Sequence, residues 1–143
     1  MKYRWVLLSL CLAIVFSASF IAHAEEPIVL RYWRHNYQPA NDLDKLAIEE
    51  FERNHPNVKV ELNIIPSPRE LEKQILTAMV GGIGPDIANI SSGWVAVFVE
   101  GGAVLPVIPE SVGASSIGDF ESMWLPGAFG AYRVGDKIYG VPS

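Results

Sequence analysis

Two short clusters of side chains in this chain could hold a small polar molecule. One is Trp33, His35, Asn36, Tyr37 and Gln38; the other is Ser91, Ser92 and Trp94. Amides, hydroxyls and an imidazole offer hydrogen bonds of fixed geometry, and indole or phenol rings offer flat apolar faces. That mixture suits a neutral polyol, whose hydroxyls surround a weakly apolar C–H face, better than an anion or a metal. Trp33 ends an apolar run, so it also suits a buried strand position. Trp94 opens a short apolar helix and also suits packing within its own domain. Arg34, next to the first cluster, keeps an anionic ligand open.

Other chemistries find less support. Asp42, Asp44, Glu49, Glu50 and Glu52 decorate one helical segment and read as a solvated face, not as an acid/base pair across a cleft. His35 and His55 have no second histidine or cysteine at metal-ligand spacing, and His55 falls in a helix-ending turn. Gly81-Gly82-Ile83-Gly84 follows a helix instead of opening one, and no lysine follows it, so it is not a phosphate loop. Ser91 and Ser92 lack the nucleophile-elbow pattern, and no histidine lies downstream to act as base. These absences predict a binding protein without catalysis, metal or cofactor.

The elements that would carry the two clusters follow from hydrophobic periodicity. Ile28 to Trp33 reads as a strand and Arg34 to Asn41 as a loop. Asn41 or Asp42 then caps a helix that keeps Leu43, Leu46, Ala47, Ile48 and Phe51 on its inner side. Val58, Val60, Leu62 and Ile64 alternate with polar residues, which marks a second strand. Ser67 caps a second helix bearing Leu71, Ile75, Leu76 and Met79. Gly81-Gly82 closes it and Pro85 prevents it from resuming. Asp86 to Ile90 is a third strand, with Asp86 expected to accept backbone hydrogen bonds from the Gly81–Gly84 turn. Trp94 to Glu100 is a short helix ended by Gly101-Gly102. Pro109 to Gly118 reads as loop, Phe120, Met123 and Trp124 keep helical spacing, and Tyr132 to Tyr139 is a hairpin turning at Gly135-Asp136. The order β-α-β-α-β-α predicts an α/β fold with a mostly parallel sheet and right-handed crossovers, followed by a C-terminal hairpin. Both polar clusters then open on the carboxyl edge of that sheet.

Residues 1–24 read as an export leader. Met1-Lys2-Tyr3-Arg4 is basic, Trp5 to Ile21 is apolar, and Ala22-His23-Ala24 is a small-x-small cleavage pattern. The sole cysteine, Cys11, lies inside this segment, and Leu10 before it is too large for a lipoprotein signal. Cleavage would leave a chain of 119 residues beginning at Glu25, without cysteine and with nine basic against sixteen acidic side chains. An acidic balance of this kind argues against nucleic acid as a partner. No low-complexity segment or internal repeat is present.

Taken in order, these residues resemble the extracellular solute-binding proteins of ABC importers, specifically the family 1 sugar-binding group that includes maltose-binding-like proteins. The matching elements begin with Tyr32-Trp33-Arg34-His35 and the run from Phe51 to Val60. They continue through Leu76-Thr77-Ala78-Met79 into Gly84-Pro85-Asp86-Ile87, then Ser92-Gly93-Trp94. Gly101-Gly102-Ala103-Val104-Leu105-Pro106 and the run from Gly135 to Pro142 complete the set. The resemblance implies a periplasmic-binding-protein-like lobe over residues 25–143, one half of a two-lobed clamp that closes on a sugar. It implies a periplasmic location and delivery of the sugar to the transmembrane subunits of an ABC permease. It also implies that this chain is the amino-terminal portion only, since members of the group run to several hundred residues. The same fold with a polyamine, metal chelate or phosphorylated polyol as ligand stays open. A secreted carbohydrate-active enzyme is the rival of a different class.

Overall fold

The computed structural model describes residues 26–142. The expected export leader lies outside them. Three strands, β1 (Ile28–His35), β2 (Val58–Ile65) and β3 (Ile87–Ala88), form a parallel sheet in the order β2-β1-β3. The chain passes from β1 to β2 through α1 (Gln38–Asn54), and from β2 across to the far side of β1 through α2 (Pro68–Val80). A short helix, α3 (Val95–Glu100), follows β3. Then come α4 (Ile117–Ser122) and a hairpin of β4 (Arg133–Val134) and β5 (Lys137–Ile138). The fold is α/β with a parallel sheet, as the alternation of elements predicts.

Alternation along β1 assigns the two helices to opposite faces. Trp33 packs on a core of Ile65, Leu71, Ile75 and Phe98, drawn from β2, α2 and α3. Tyr32 and Arg34 point the other way and meet α1, where both donate to Asp44 Oδ2. A second cluster, Ala114, Phe120, Phe129 and Ile138, joins α4 to the hairpin.

Local chemistry fixes the ends of the elements. Ser67 Oγ accepts from the Glu70 N–H at 3.2 Å and caps α2, as predicted. Gly82 takes a φ of 66°, and the Ile83 N–H returns to the Ala78 carbonyl at 3.0 Å, while the Gly82 N–H bonds the Met79 carbonyl. This is a Schellman closure, which needs the left-handed residue that glycine supplies without strain. The hairpin turns with φ positive at Gly135 and not at Asp136, the signature of a type II′ turn.

Four expectations need correction. β1 runs on to His35, two residues beyond Trp33, and α1 starts at Gln38. Pro39 lies in the first turn of α1, where its missing N–H costs nothing, so it opens the helix. Asn41 is therefore inside α1 and buried, not its cap. The apolar stripe of α1 does not face the sheet: Leu43 and Leu46 are 67% and 63% exposed, and Ala47 and Phe51 are exposed too. Polar ties rotate the helix. Asp44 holds Arg34 and Tyr32, and Glu52 Oε1 accepts from the Val60 N–H at 2.8 Å, so these carboxylates turn towards the sheet. Asp86 is structural but bonds β1, not the glycine turn: its Oδ2 accepts from the Arg31 backbone N–H at 2.8 Å and from Arg31 Nε at 3.3 Å. Arg31 in turn reaches the Ile83 carbonyl at 3.3 Å, which ties down the turn. Finally, helix α4 begins within the stretch read as loop. Ser116 caps it, and it holds Phe120 but neither Met123 nor Trp124.

Candidate functional site

The order β2-β1-β3 contains a reversal. The chain leaves β1 for one neighbour and returns past it to the other, so the crossovers run over opposite faces and diverge between β1 and β3. In open α/β sheets a crevice forms at that switch point, outside the carboxyl ends of the strands. The Asn89 N–H donates to the Trp33 carbonyl at 2.9 Å and extends the β1–β3 ladder beyond Ala88. The two polar clusters of the sequence thus follow the carboxyl ends of two adjacent strands.

The structure treats their members differently. His35 ends β1 half-buried, and its Nδ1 is the one buried side-chain polar atom without a hydrogen-bond partner among the described residues. Asn36 is exposed; its backbone N–H bonds the Ile65 carbonyl at 2.7 Å, anchoring the loop to β2. Its Oδ1 accepts from Asn41 Nδ2, also at 2.7 Å. Tyr37 stands at the helix entry with its ring exposed. Gln38 is already helical, and its Nε2 donates to Asp42 Oδ1 at 2.8 Å. Ser91 and Ser92 are exposed at the start of a 3-10 turn, Ser92–Trp94, closed by the Trp94 N–H on the Ser91 carbonyl.

The two indoles are drawn towards the core. Trp33 is half-buried against the Ile65–Leu71–Ile75–Phe98 cluster. Its outer part lines a shallow groove with Glu70, Lys73, Gln74 and Thr77. Trp94 packs on the same cluster, with its ring 6.0 Å from that of Phe98. Of the three aromatics in the clusters, Tyr37 is the one whose ring stands free at the sheet edge.

Arg34 does not lie open beside the cleft. It is 3% exposed, paired with Asp44, and donates from Nε to the His35 carbonyl at 3.2 Å. Its position on β1 directs it to the α1 face, so its charge is spent inside the fold. Asp44 also accepts from the Tyr32 hydroxyl at 2.7 Å. Burial, then the bond to Asp44, pushes the Tyr32 phenol up to about 12.

Two polar side chains are buried beyond what the sequence indicates: Asn41, 2% exposed, where a cap is expected, and Glu72, 3% exposed in the second turn of α2. The i, i+3 and i, i+4 spacings of Glu72 to Ile75 and of Pro68 to Glu72 were the available signal. A cavity of about 700 Å³ lies elsewhere, beside β3, between Ile75, Met79, Ile90 and Tyr139. Its walls are largely apolar, and it excludes Asn36, Tyr37, Ser91 and Ser92. It reflects an outer edge of β3 on which no further strand lies among the described residues. The polar groups that could orient a polyol are at the loops, and those define the candidate site.

A parallel sheet whose strand order reverses between β1 and β3 is a frame on which small-molecule sites are commonly built. Residues 38–142 match the model of the bacterial extracellular solute-binding protein family. The chain belongs to that family. No curated protein matches it. Among solved structures, it is similar to the sugar-binding protein MalE of Xanthomonas citri, at 24% identity over 80% of this chain and 28% of that one, with a TM-score of 0.67. It is similar at 28% identity, over 79% of this chain and 28% of that one, to a protein studied for xylan utilization by Caldanaerobius polysaccharolyticus, with a TM-score of 0.63. A substrate-binding protein of Listeria monocytogenes in complex with cycloalternan is 24% identical over 80% of this chain and 28% of that one, also with a TM-score of 0.63. Two structures of like fold, at 22% and 21% identity, are described as designed esterases. The chain spans about 28% of the length of the solved structures first matched. No helix among the described residues is long and apolar enough to cross a membrane.

Proposed function

We propose that the chain forms one wall of a carbohydrate site in the periplasmic substrate-binding component of an ABC importer. One observation carries this reading. The exposed Asn36 amide, the Tyr37 ring and the Ser91 and Ser92 hydroxyls lie at the carboxyl ends of β1 and β3, where the strand order reverses. Hydroxyl and amide groups satisfy a sugar's hydrogen bonds, and the exposed Tyr37 ring offers the flat apolar face. The Nδ1 of His35 at the same edge, buried without a protein partner among the described residues, is open to a hydrogen bond from water or ligand. Sugar-binding relatives of the same fold point the same way. A second lobe closing over the ligand by a hinge motion would complete the enclosure, and the closed form would then present the sugar to the permease.

An anionic ligand loses its main support, because Arg34 is buried and paired. A carbohydrate-active enzyme would need two carboxylates facing each other across the cleft. Of the acids first read as a solvated face, Asp44 and Glu52 are engaged in holding α1 to the sheet. Isothermal titration of the protein with both lobes present, using maltotriose and mannotriose, tests the reading. Saturable binding, weakened at least several-fold by Tyr37→Ala, is expected. Heat from neither sugar, or binding untouched by Tyr37→Ala and Asn36→Ala, would overturn it.

A further inference from the structure

The hydrogen bonds around Asn41 decide which way the amide of Asn36 faces. The starting point is a group with no choice: the Tyr37 backbone N–H can only donate. It approaches Asn41 at 3.3 Å, so the Asn41 atom that meets it must be the carbonyl oxygen. The other end of the Asn41 amide is then its NH2, and it lies 2.7 Å from Asn36. The Asn36 atom that receives it must be an oxygen. Beside the second lone pair of that oxygen, Asn36 keeps its NH2, which has no protein partner among the described residues and belongs to an exposed residue at the carboxyl end of β1. Amide orientation is normally assigned from such networks, and here a backbone donor anchors the whole relay.

The relay is also held rigidly. Asn41 is 2% exposed, and its own N–H bonds the Tyr37 carbonyl at 2.9 Å. The Asn36 N–H is fixed on Ile65 of β2. Neither amide can turn without leaving a buried donor or acceptor unmet, which is what makes such networks specific.

We propose that Asn41 is a positioning residue that directs the Asn36 NH2 outward as a hydrogen-bond donor, so that the ligand atom bound at that NH2 must be an accepting oxygen. This rests on the carbohydrate reading and narrows it. A hydroxyl, ring or glycosidic oxygen of the sugar meets Asn36 through its lone pair and keeps any proton for another partner.

The test uses the protein with both lobes present and asparagine labelled with 15N, with maltotriose and mannotriose as probes. Without ligand, the Asn36 side-chain NH2 is expected to exchange with water rapidly and that of Asn41 slowly. In Asn41→Asp the carboxylate can only accept. The Tyr37 N–H stays satisfied, the Asn36 amide turns to donate inward, and its NH2 becomes protected. Asn36→Asp does the reverse: it keeps the bond from Asn41 and removes the outward donor. Affinity is expected to fall roughly 3- to 10-fold while the melting temperature holds. If Asn41→Asp does not fold, wild-type exchange and Asn36→Asp decide the matter. A protected Asn36 NH2 in the wild type overturns the proposal, as does a folded Asn41→Asp in which it stays unprotected. Sugar binding unaffected by Asn36→Asp overturns it and leaves the carbohydrate reading standing. Binding of neither sugar, with the exchange pattern as described, removes the carbohydrate reading and with it the assignment of the ligand atom.

Discussion

At the scale of single residues, the Arg34–Asp44–Tyr32 group has the largest consequences for stability. Removing one partner of a buried ion pair leaves the other charge unpaired, which costs several kcal/mol when both are fully buried. Asp44 keeps 25% of its side-chain surface exposed, and water there offsets part of the loss. Asp44→Ala is expected to lower the unfolding free energy by about 2 kcal/mol in urea titrations. No change would mean that Arg34 finds another partner. The phenol of Tyr32 adds an alkaline dependence. Its folded pKa, about 12, lies above the ordinary 10.0, so the fold favours the protonated form. That contribution is whole below about pH 10 and is lost as the pH rises through the folded value. Unfolding free energy should therefore fall between pH 10 and 12, and Tyr32→Phe should flatten the fall. An equal slope in the variant would place the alkaline transition elsewhere. Trp33→Ala separates core from site. With the indole half-buried on the Leu71–Ile75 core, a loss of about 2 kcal/mol in stability is expected, with sugar affinity changed less than about 3-fold. A normal melting temperature with a tenfold loss of affinity would return Trp33 to the binding surface.

At the scale of elements, most of the order was legible in the sequence, and the failures have local physical causes. Ser67, Gly82 and Gly135 were readable because caps and tight turns are set by a few residues with special backbone or hydrogen-bonding roles. The start of α1 was misread because Pro39 signals both a loop and a first helical turn, and only the surrounding chain decides between them. The rotation of α1 was not legible. Periodicity finds a stripe such as Leu43–Ala47–Phe51, but not whether ion pairs from the opposite strand turn it from the sheet. The candidate site was legible as two clusters of residue types at two strand ends. Their sorting was not: packing drew Trp33 and Trp94 towards the core, Gln38 into a helix and Arg34 into a pair, and left Asn36, Tyr37, Ser91 and Ser92 outward. Ser67→Ala offers an element-scale check. It removes one N-terminal acceptor of α2 and should cost about 1 kcal/mol. Amide exchange should quicken first at Glu70 and Leu71; uniform quickening along α2 would mean that the helix opens as a unit and not from its cap.

At the scale of the molecule, residues 26–142 leave two apolar surfaces open. One is the α1 stripe of Leu43, Leu46, Ala47 and Phe51. The other is the outer side of β3, where the sheet ends beside a largely apolar cavity of about 700 Å³. An uncovered strand edge offers unpaired backbone groups to other chains, and a large apolar face does the same without direction. A sugar held only on the β1 and β3 loops would also be enclosed on one side, whereas small-molecule sites bury most of their ligand. Expressed as a separate polypeptide, residues 26–142 are therefore expected to bind an apolar dye, to elute above monomer size and to melt broadly while keeping helix and strand signal. Leu46→Glu, on the exposed stripe, should reduce both dye binding and self-association without lowering helix content, because that position has nothing to lose from the core. A sharp monomeric two-state melt, with dye binding absent and maltotriose or mannotriose bound at micromolar affinity, would show instead that these surfaces cover themselves and that one lobe suffices for the ligand.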